Sequence, residues 1–374
     1  MEDFSSEQNN IYSNKYKFSK HDYTNRYYIN INGKMKPLPS IDEIIKNASK
    51  YSKQSKYSCF IQYLFENEGE NIREEIFESL KGDIVNLSKD FYGNYVIQGI
   101  LEYYDEKKHD IFNKLVNTKV IIELCSNKYS CRVIQKLVDV LDDNLIKVMI
   151  ELINNNLYKL FIDQNGNHVI HKIIKKLDEK DLECIYNTAL GNINSLIINQ
   201  YGSHIIQELF TKLEDKEKIK IIIDKIYEND LVGLCKDPYC NYIIQTIIDN
   251  YNEYIDKTFE KIKGNIYEFS QKDFSSYALP IIAKIIINGK NEIKKEICQE
   301  ILENDKNNKD FILDLIIDKS GNYLLQIIMD KCPKEIAGDL INRLKEVMNN
   351  IPPDDKYKKN KKFIINKLIE NNYI

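Results

Sequence analysis

The sequence has no tryptophan and, in 374 residues, only 13 glycines and 7 prolines. So few turn-forming residues argue against a turn-rich all-β protein. No apolar run approaches the length of about 18 residues that marks a membrane span. The first residues, MEDFSSEQNN, lack the apolar core of a secretory signal. We therefore expect a protein of the cytosol or nucleus with no membrane association.

Strong positive charge is also missing. The formal net charge is −4, which excludes a strongly basic DNA-coating protein but leaves room for local basic surface. Eight cysteines are present and none lies in a C-x-x-C pair, so we expect free, buried thiols rather than disulfides. With 43% hydrophobic and 29% charged residues, the chain has the composition of a folded protein.

One short pattern recurs along the chain. Residues 90–98 read DFYGNYVIQ, and five similar copies end at residues 135, 171, 207, 245 and 326. Two weaker copies are SCFIQ at 58–62 and KDFSSYALP at 272–280. The spacings between the last residues of successive copies are 36, 37, 36, 36, 38, 35 and 46. Eight copies at this period predict an all-α solenoid, because one such unit cannot bury its own apolar face.

Each copy is predicted to open an amphipathic helix. Apolar residues follow at spacings of one, three and four, as at Val96, Ile97, Ile100 and Leu101. A further apolar stretch lies on either side of the copy, and no alternation of period two is long enough to predict a sheet. The small residue before the helix, such as Gly93, fits a tight helix-to-helix turn.

The ends of the chain differ from the middle. Residues 1–37 are polar, without a sustained apolar period, and are predicted to be mostly flexible. Residues 38–374 are predicted to hold the repeats and a C-terminal cap at 346–374, and the polar stretch Asn304 to Asp310 is predicted to be a loop. The repeats are predicted to start near residues 46, 82, 119, 155, 191, 229, 264 and 310.

Three positions of the five-residue motif carry polar or planar side chains. The first and fifth residues, such as Asn94 and Gln98, are one helical turn apart and point the same way. Their amides supply the donors and acceptors that base edges require. The second residue is aromatic or cationic in seven copies and is Cys59 in the remaining one. The seven are Tyr95, Arg132, His168, His204, Tyr242, Tyr277 and Tyr323.

Such side chains have a purely structural interpretation as well. A single Asn or Gln between repeats is commonly bonded to buried backbone groups. A flat or cationic residue at one fixed position in seven copies is harder to explain in that way, because a core position would be Leu or Ile. Flat groups stack on bases, so the pattern favours recognition of nucleic acid.

The copies GNYVIQ, CRVIQK, GNHVIHK and GNYLLQ resemble the repeats of Pumilio/FBF (PUF) RNA-binding proteins, over about residues 38–374. The resemblance implies a right-handed, crescent-shaped α-solenoid of eight repeats. Each repeat would contact one base of single-stranded RNA, and the RNA would run antiparallel to the protein. The implied contact residues are the first, second and fifth of each motif: Ser58, Cys59 and Gln62; Asn94, Tyr95 and Gln98; Cys131, Arg132 and Gln135; Asn167, His168 and His171; Ser203, His204 and Gln207; Asn241, Tyr242 and Gln245; Ser276 and Tyr277, followed by Pro280; and Asn322, Tyr323 and Gln326.

The resemblance also implies a base code. In that family Asn with Gln implies uracil, Ser or Cys with Gln implies adenine, and Ser with Glu implies guanine. Carried over, the pairs imply 5′-U-n-U-A-n-A-U-A, close to a UGUA-containing element. His171 leaves base five open, and Cys59 should weaken base eight. Pro280 stands where glutamate would select guanine, so we predict poor discrimination at base two.

The resemblance further implies binding to mRNA 3′ untranslated regions and post-transcriptional regulation of translation or mRNA stability. Deadenylase or translational repression machinery would be the protein partners, and no cofactor is implied. We expect a monomer.

Three other interpretations are open to the sequence. A protein-binding scaffold of armadillo or HEAT type also stacks helices at about 40 residues per repeat, but has no reason to keep the motif. An enzyme is not expected. His168 and His171 have a spacing that suits a shared metal, but no cysteine or carboxylate partners recur nearby, and no P-loop or dinucleotide fingerprint is present. A ribosome-biogenesis relative of the PUF family would have more divergent repeats.

Overall fold

The computed structural model describes residues 16–21, 26–117, 119–308, 311–350 and 355–374. The chain divides into two compact units, Met1–Gly191 and Asn192–Ile374. Helices dominate both units, as the sequence predicts. Within the described ranges, no helix has the length and apolar character needed to span a membrane.

Four repeats make up most of the first unit, and each contains a short helix, a helix that carries the motif and a third helix. We call the second of these the motif helix. Repeat by repeat, the bounds are Ile41–Lys46 with Ala48–Ser52, Ser55–Asn67 and Glu70–Leu80; Ile84–Ser88, Gly93–Tyr103 and Lys108–Leu115; Ile121–Ser126, Ser130–Val140 and Asp143–Ile153; and Leu157–Phe161, Gly166–Lys176 and Glu183–Gly191. Single 3₁₀ turns at Asp105–Lys107, Asn154–Asn156 and Glu179–Asp181 join some of them.

The second unit holds four repeats of the same build and one further helix. Their bounds are Ile193–Leu196, Gly202–Lys212 and Lys216–Tyr227; Leu231–Lys236, Cys240–Asn250 and Ile255–Ile262; Ile266–Phe269, Ser275–Asn288 and Asn291–Asn307; and Phe311–Ile317, Lys319–Lys331 and Lys334–Asn349, followed by Asp355–Glu370. A 3₁₀ turn at Asn252–Tyr254 precedes the third helix of repeat six. The predicted helical repeats are therefore confirmed.

Motif helices of successive repeats pack side by side within each unit. Their third and fourth motif residues are fully buried, as Val96 and Ile97 are in repeat two. Burying a side chain of this size stabilises the fold by about 1.5–3 kcal/mol. The third and fourth motif residues thus hold the helix in the core of the repeat, and the first and fifth motif residues lie on a different face of the helix.

The glycine before the motif in four repeats, Gly93, Gly166, Gly202 and Gly321, serves close packing rather than a special turn conformation. A Cβ atom at Gly93 would lie 2.8 Å from the backbone oxygen of Leu87, and one at Gly202 would lie 2.9 Å from that of Leu196. Positive φ angles at glycine occur, in the described ranges, only at Gly33 and Gly264. The motif helix therefore packs directly against the preceding short helix. The sequence predicts a tight turn at this place but not this contact between helices.

In six repeats, the side chain of the first residue of the nine-residue copy holds the turn before the motif helix. In repeat two, the Oδ1 atom of Asp90 accepts hydrogen bonds from the backbone N–H groups of Tyr92 at 2.9 Å and Gly93 at 2.8 Å. The same pair of bonds recurs at Asn127, Asp163, Asn199, Asp237 and Asp318. Repeats one and seven have Gln54 and Lys272 in this place. This turn sets the register in which the first motif residue enters its helix.

A three-stranded antiparallel sheet precedes the first repeat, with strands β1 (Lys17–His21), β2 (Arg26–Ile31) and β3 (Lys34–Pro37) in that order. In β2 the alternate residues Tyr27 and Ile29 are buried. The ring of Phe18 lies 5.4 Å from that of Phe60 on the first motif helix, and the Tyr27 ring lies 5.1 Å from it. The sheet thus covers an end of repeat one that has no preceding repeat.

This sheet corrects the sequence-based expectation of a flexible segment without a sheet. The alternation of buried and accessible residues in β2 includes only two buried side chains, Tyr27 and Ile29. This alternation is too short to identify a strand from the sequence. The flexibility predicted for residues 1–15 and 22–25 concerns positions outside the described residues.

The predicted loop at Asn304 to Asp310 is wrong over its first part, because the helix continues to Asn307. Asp305 is buried there, and its Oδ2 accepts from the Nε of Arg343 at 2.7 Å. Its Oδ1 accepts from the backbone N–H of Ile312 at 3.2 Å. A polar sequence is thus helical because its carboxylate is paired inside the repeat. Residues 309–310 lie outside the described ranges.

At the C-terminal end, the third helix of repeat eight extends past residue 346, where the cap was predicted to begin, and ends at Asn349. The final helix, Asp355–Glu370, packs beside the last motif helix. Its Lys367 forms an ion pair with Asp330 at 2.9 Å. All eight cysteines are free thiols, and seven of them are buried.

Candidate nucleic-acid interface

The first motif residue is buried in seven of the eight repeats. These side chains are between 1% and 4% exposed, and the exception is Ser276, which is exposed. The seven are Ser58, Asn94, Cys131, Asn167, Ser203, Asn241 and Asn322. Their polar atoms must therefore find partners inside the protein.

Three of the four asparagines, Asn94, Asn241 and Asn322, bond to the backbone and to the fifth motif residue at once. In repeat six the Nδ2 of Asn241 donates to the carbonyl of Asp237 at 2.9 Å. The Oδ1 of Asn241 accepts from the Nε2 of Gln245 at 2.9 Å. The same amide-to-amide bond measures 2.9 Å in repeat two and 2.7 Å in repeat eight. The structural interpretation thus holds for the asparagine, which orients the glutamine.

The pairs with serine or cysteine are arranged differently. In repeat five the hydroxyl of Ser203 donates to the Gln200 carbonyl at 3.4 Å, and the Nε2 of Gln207 donates to the Ser203 carbonyl at 3.3 Å. Repeat three follows the same plan, with Gln135 donating to the Cys131 carbonyl at 3.1 Å. Burial raises the pKa of the Cys131 thiol to about 11, so the thiol is neutral and stands in for a hydroxyl.

The second motif residue is the accessible member of the set. Tyr242 is 56% exposed and Tyr323 is 48% exposed. His168 is exposed as well, and Tyr95, Arg132, His204 and Tyr277 are half-buried. Burial lowers the pKa of His204, which keeps its imidazole neutral at neutral pH. Cys59 is buried and presents no stacking surface.

The fifth motif residue is half-buried in every repeat, including His171 of repeat four and Pro280 of repeat seven. In the six other repeats one hydrogen of the glutamine amide is bonded within its own turn. Its second N–H and its carbonyl oxygen are the remaining bonding groups of that amide.

A row of ion pairs lies one helical turn beyond the fifth motif residue. The carboxylate four positions after that residue pairs with a lysine of the next helix in the stack. The pairs are Glu102 with Lys136 at 3.3 Å, Asp139 with Lys172 at 3.0 Å, Asp249 with Lys284, and Asp330 with Lys367 at 2.9 Å. This row was not predicted from the sequence, although the carboxylate recurs four positions after the motif in these repeats. These cations are neutralised locally, so amides and rings dominate the neighbouring surface.

Histidine, cysteine and carboxylate side chains do not gather into a metal-binding cluster anywhere in the described ranges. The site instead combines a half-buried amide with an accessible planar group in successive repeats. Neutral amides bond to base edges, and planar groups stack on base faces, so this arrangement is suited to unpaired nucleotides.

The chain matches the sequence model of the Pumilio-family RNA-binding repeat. The matched residues are 58–80, 83–116, 121–153, 162–187, 192–227, 230–262 and 311–344, more than half of the chain. Residues 263–310, which contain Ser276 and Pro280, lie between matched segments. The structure nevertheless gives that segment the same three helices as the other repeats.

Individual proteins show the same likeness. The chain is 24% identical over 303 residues to Pumilio homolog 11 of Arabidopsis thaliana, covering 79% of this chain and 52% of the relative. It is 24% identical over 347 residues to Fem-3 mRNA-binding factor 1 of Caenorhabditis elegans, covering 82% and 56%. The chain thus spans about half the length of these curated relatives. Among solved structures, the Puf3 RNA-binding domain bound to a Cox17 RNA 3′ UTR recognition sequence matches with a TM-score of 0.72 and 26% identity, over 86% of this chain and 95% of that domain.

Proposed function

Because this chain belongs to the Pumilio family of RNA-binding repeat proteins, we propose that it binds single-stranded RNA by sequence, one base per repeat. The proposed contacts are the first, second and fifth motif residues given above. One observation carries the proposal: an oriented glutamine amide beside an accessible ring recurs from repeat to repeat in both units. A scaffold that binds proteins would have no use for this combination.

The geometry offers a physical basis for the base code. Asn241 places a full amide beside Gln245 and bonds to it, whereas Ser203 has a shorter side chain and Gln207 bonds to its backbone carbonyl. A smaller pyrimidine fits beside the asparagine, and a larger purine fits beside the serine. The free donor and acceptor of the glutamine amide then bond to the Watson–Crick edge.

On this basis the proposed site is 5′-U-n-U-A-n-A-U-A, with base one at repeat eight and base eight at repeat one. Base eight is held weakly, since Cys59 is buried. Base five stays open because His171 replaces glutamine. The protein is proposed to act as a monomer, with one chain on each RNA.

The proposed biological role is regulation of mRNA translation or stability in the cytoplasm, through sites in 3′ untranslated regions. The names of two relatives support it: one is an mRNA-binding factor, and one is bound to a 3′ UTR recognition sequence. Recruitment of deadenylase or translational repression machinery is part of the same proposal.

A filter-binding assay tests the core of the proposal. RNA carrying U-n-U-A-n-A-U-A should bind at least about tenfold more tightly than a scrambled RNA, which corresponds to roughly one good base contact. The same sequence as duplex DNA should bind poorly, because stacking needs unpaired bases. Equal affinity for the target and scrambled RNAs would overturn the proposal.

A further inference from the structure

Repeat seven departs from the other repeats at two motif positions. Its first residue, Ser276, is exposed, whereas the first residue is buried in the seven others. Its fifth residue is Pro280, which lies inside the helix Ser275–Asn288. The two positions are one turn apart, so they share one stripe of the helix.

Pro280 changes the hydrogen bonding of the backbone at Ser276. The carbonyl of Phe274 accepts the first helical bonds, from the N–H groups of Tyr277 and Ala278 at 2.9 Å each. Continuing this ladder, the Ser276 carbonyl is the acceptor that would face the N–H of residue 280. Proline has no N–H, and its ring pushes the carbonyl four residues earlier away from the helix axis. The Ser276 carbonyl therefore cannot receive its helical bond.

Four other repeats show where this carbonyl faces. The glutamine Nε2 at the fifth position donates to the carbonyl of the first residue at 3.1 Å in repeat one, 3.4 Å in repeat two, 3.1 Å in repeat three and 3.3 Å in repeat five. The carbonyl of the first motif residue is thus within reach of the glutamine amide. In repeat seven the proline supplies neither the backbone donor nor the side-chain donor.

We propose that the main-chain carbonyl of Ser276 accepts a hydrogen bond from base two and makes guanine the preferred base there. Guanine presents two adjacent N–H donors on its Watson–Crick edge. Adenine and cytosine place an acceptor beside their donor, and uracil places its single N–H between two carbonyl oxygens. The half-buried ring of Tyr277 provides the stacking surface.

This inference rests on the proposed function and revises one sequence-based expectation. The sequence predicts poor discrimination at base two because Pro280 has no acceptor in its side chain. The same proline leaves an acceptor on the backbone.

The test varies base two through all four nucleotides and measures affinity for the wild type, Pro280→Ala and Ser276→Ala. Wild type should prefer guanine over each other base by at least about fivefold, the low end of one good base contact. Pro280→Ala restores the N–H that bonds to the Ser276 carbonyl and adds no polar side-chain group, so the carbonyl is then shared with the helix and the guanine preference should fall by at least about twofold. Ser276→Ala removes the hydroxyl and keeps the carbonyl, so overall affinity falls if the hydroxyl contacts RNA, but the ratio of affinities for guanine and the other bases should be retained.

A flat wild-type profile would overturn the inference. So would a preference that survives Pro280→Ala but is lost in Ser276→Ala, since the hydroxyl would then be the acceptor. Pro280→Ala should melt no lower than wild type, because it removes a proline from a helix interior. A second set of RNAs that differ only at base three, measured with the same proteins, distinguishes failure of this inference from failure of the proposed function. If base three matters and base two does not, only this inference fails; if neither matters, the proposed function fails.

Discussion

The most informative substitution in the proposed interface is Asn241→Ser with Gln245 kept. It converts the pair proposed to select uracil at base three into the pair present at Ser203 and Gln207. In the native repeat Asn241 is buried, bonds to the Asp237 carbonyl and holds the Gln245 amide at 2.9 Å. Serine removes the amide, opens space for a purine and lets Gln245 turn to the backbone carbonyl of residue 241.

The cost to folding should be small. The Asp237 carbonyl keeps its bond from the backbone N–H of residue 241, which measures 3.3 Å. The new hydroxyl can donate to the Pro238 carbonyl, as Ser203 does to Gln200. We therefore expect a loss of about 1 kcal/mol in the free energy of unfolding. The change in base preference should be about 1–3 kcal/mol, or roughly 5- to 150-fold in the ratio of dissociation constants.

Fluorescence anisotropy with two labelled RNAs that differ only in U or A at base three measures this ratio. Wild type should favour U, and Asn241→Ser should favour A. Asn94→Ser is the matched control, because it makes the same change in repeat two and should alter base seven while leaving base three alone. If Asn241→Ser keeps the wild-type preference for U, the assignment of this pair to a base is wrong.

Three further predictions address stacking, packing and protonation. Tyr242→Ala should weaken RNA binding by about 1–3 kcal/mol, with little change in melting temperature, because the ring is 56% exposed. Gly321→Ala should lower the free energy of unfolding in urea by about 1–3 kcal/mol, because its Cβ would lie 2.7 Å from the Leu315 backbone oxygen. The control Gly338→Ala meets no atom within 4 Å and should stabilise the helix by up to about 1 kcal/mol. Burial holds the pKa of His204 below its ordinary value, so the unfolded chain takes up the proton more readily than the folded chain. The free energy of unfolding should therefore fall as the pH drops below about 6.5, and His204→Tyr should reduce that fall.

The repeats were predictable from the sequence because the same local pattern of apolar and polar residues recurs in each of them. Val96 and Ile97 with Ile100 and Leu101 give a helical apolar stripe, and eight copies reinforce one another. The spacing of Asn94 and Gln98 by one turn predicts that their side chains meet, and the structure joins them at 2.9 Å.

Other features depend on partners that are distant in sequence. The N-terminal sheet exists because Phe18 and Tyr27 pack on Phe60, which lies more than 30 residues away. The helix at Asn304 continues because Asp305 pairs with Arg343. Neither contact leaves a periodic signal in the local sequence.

The exposure of Ser276 was also beyond sequence reasoning. Side-chain chemistry says only that proline lacks an acceptor at position 280. The hydrogen bond missing from the Ser276 carbonyl becomes apparent only when Pro280 is placed inside a helix.

Selection of bound RNAs from a random pool is the most direct test of base recognition by the repeats. Single-stranded sequences with U at bases one, three and seven and A at bases four, six and eight should be enriched, with the weakest preference among these at base eight. Enrichment of an unrelated motif, or no enrichment over the starting pool, would contradict it.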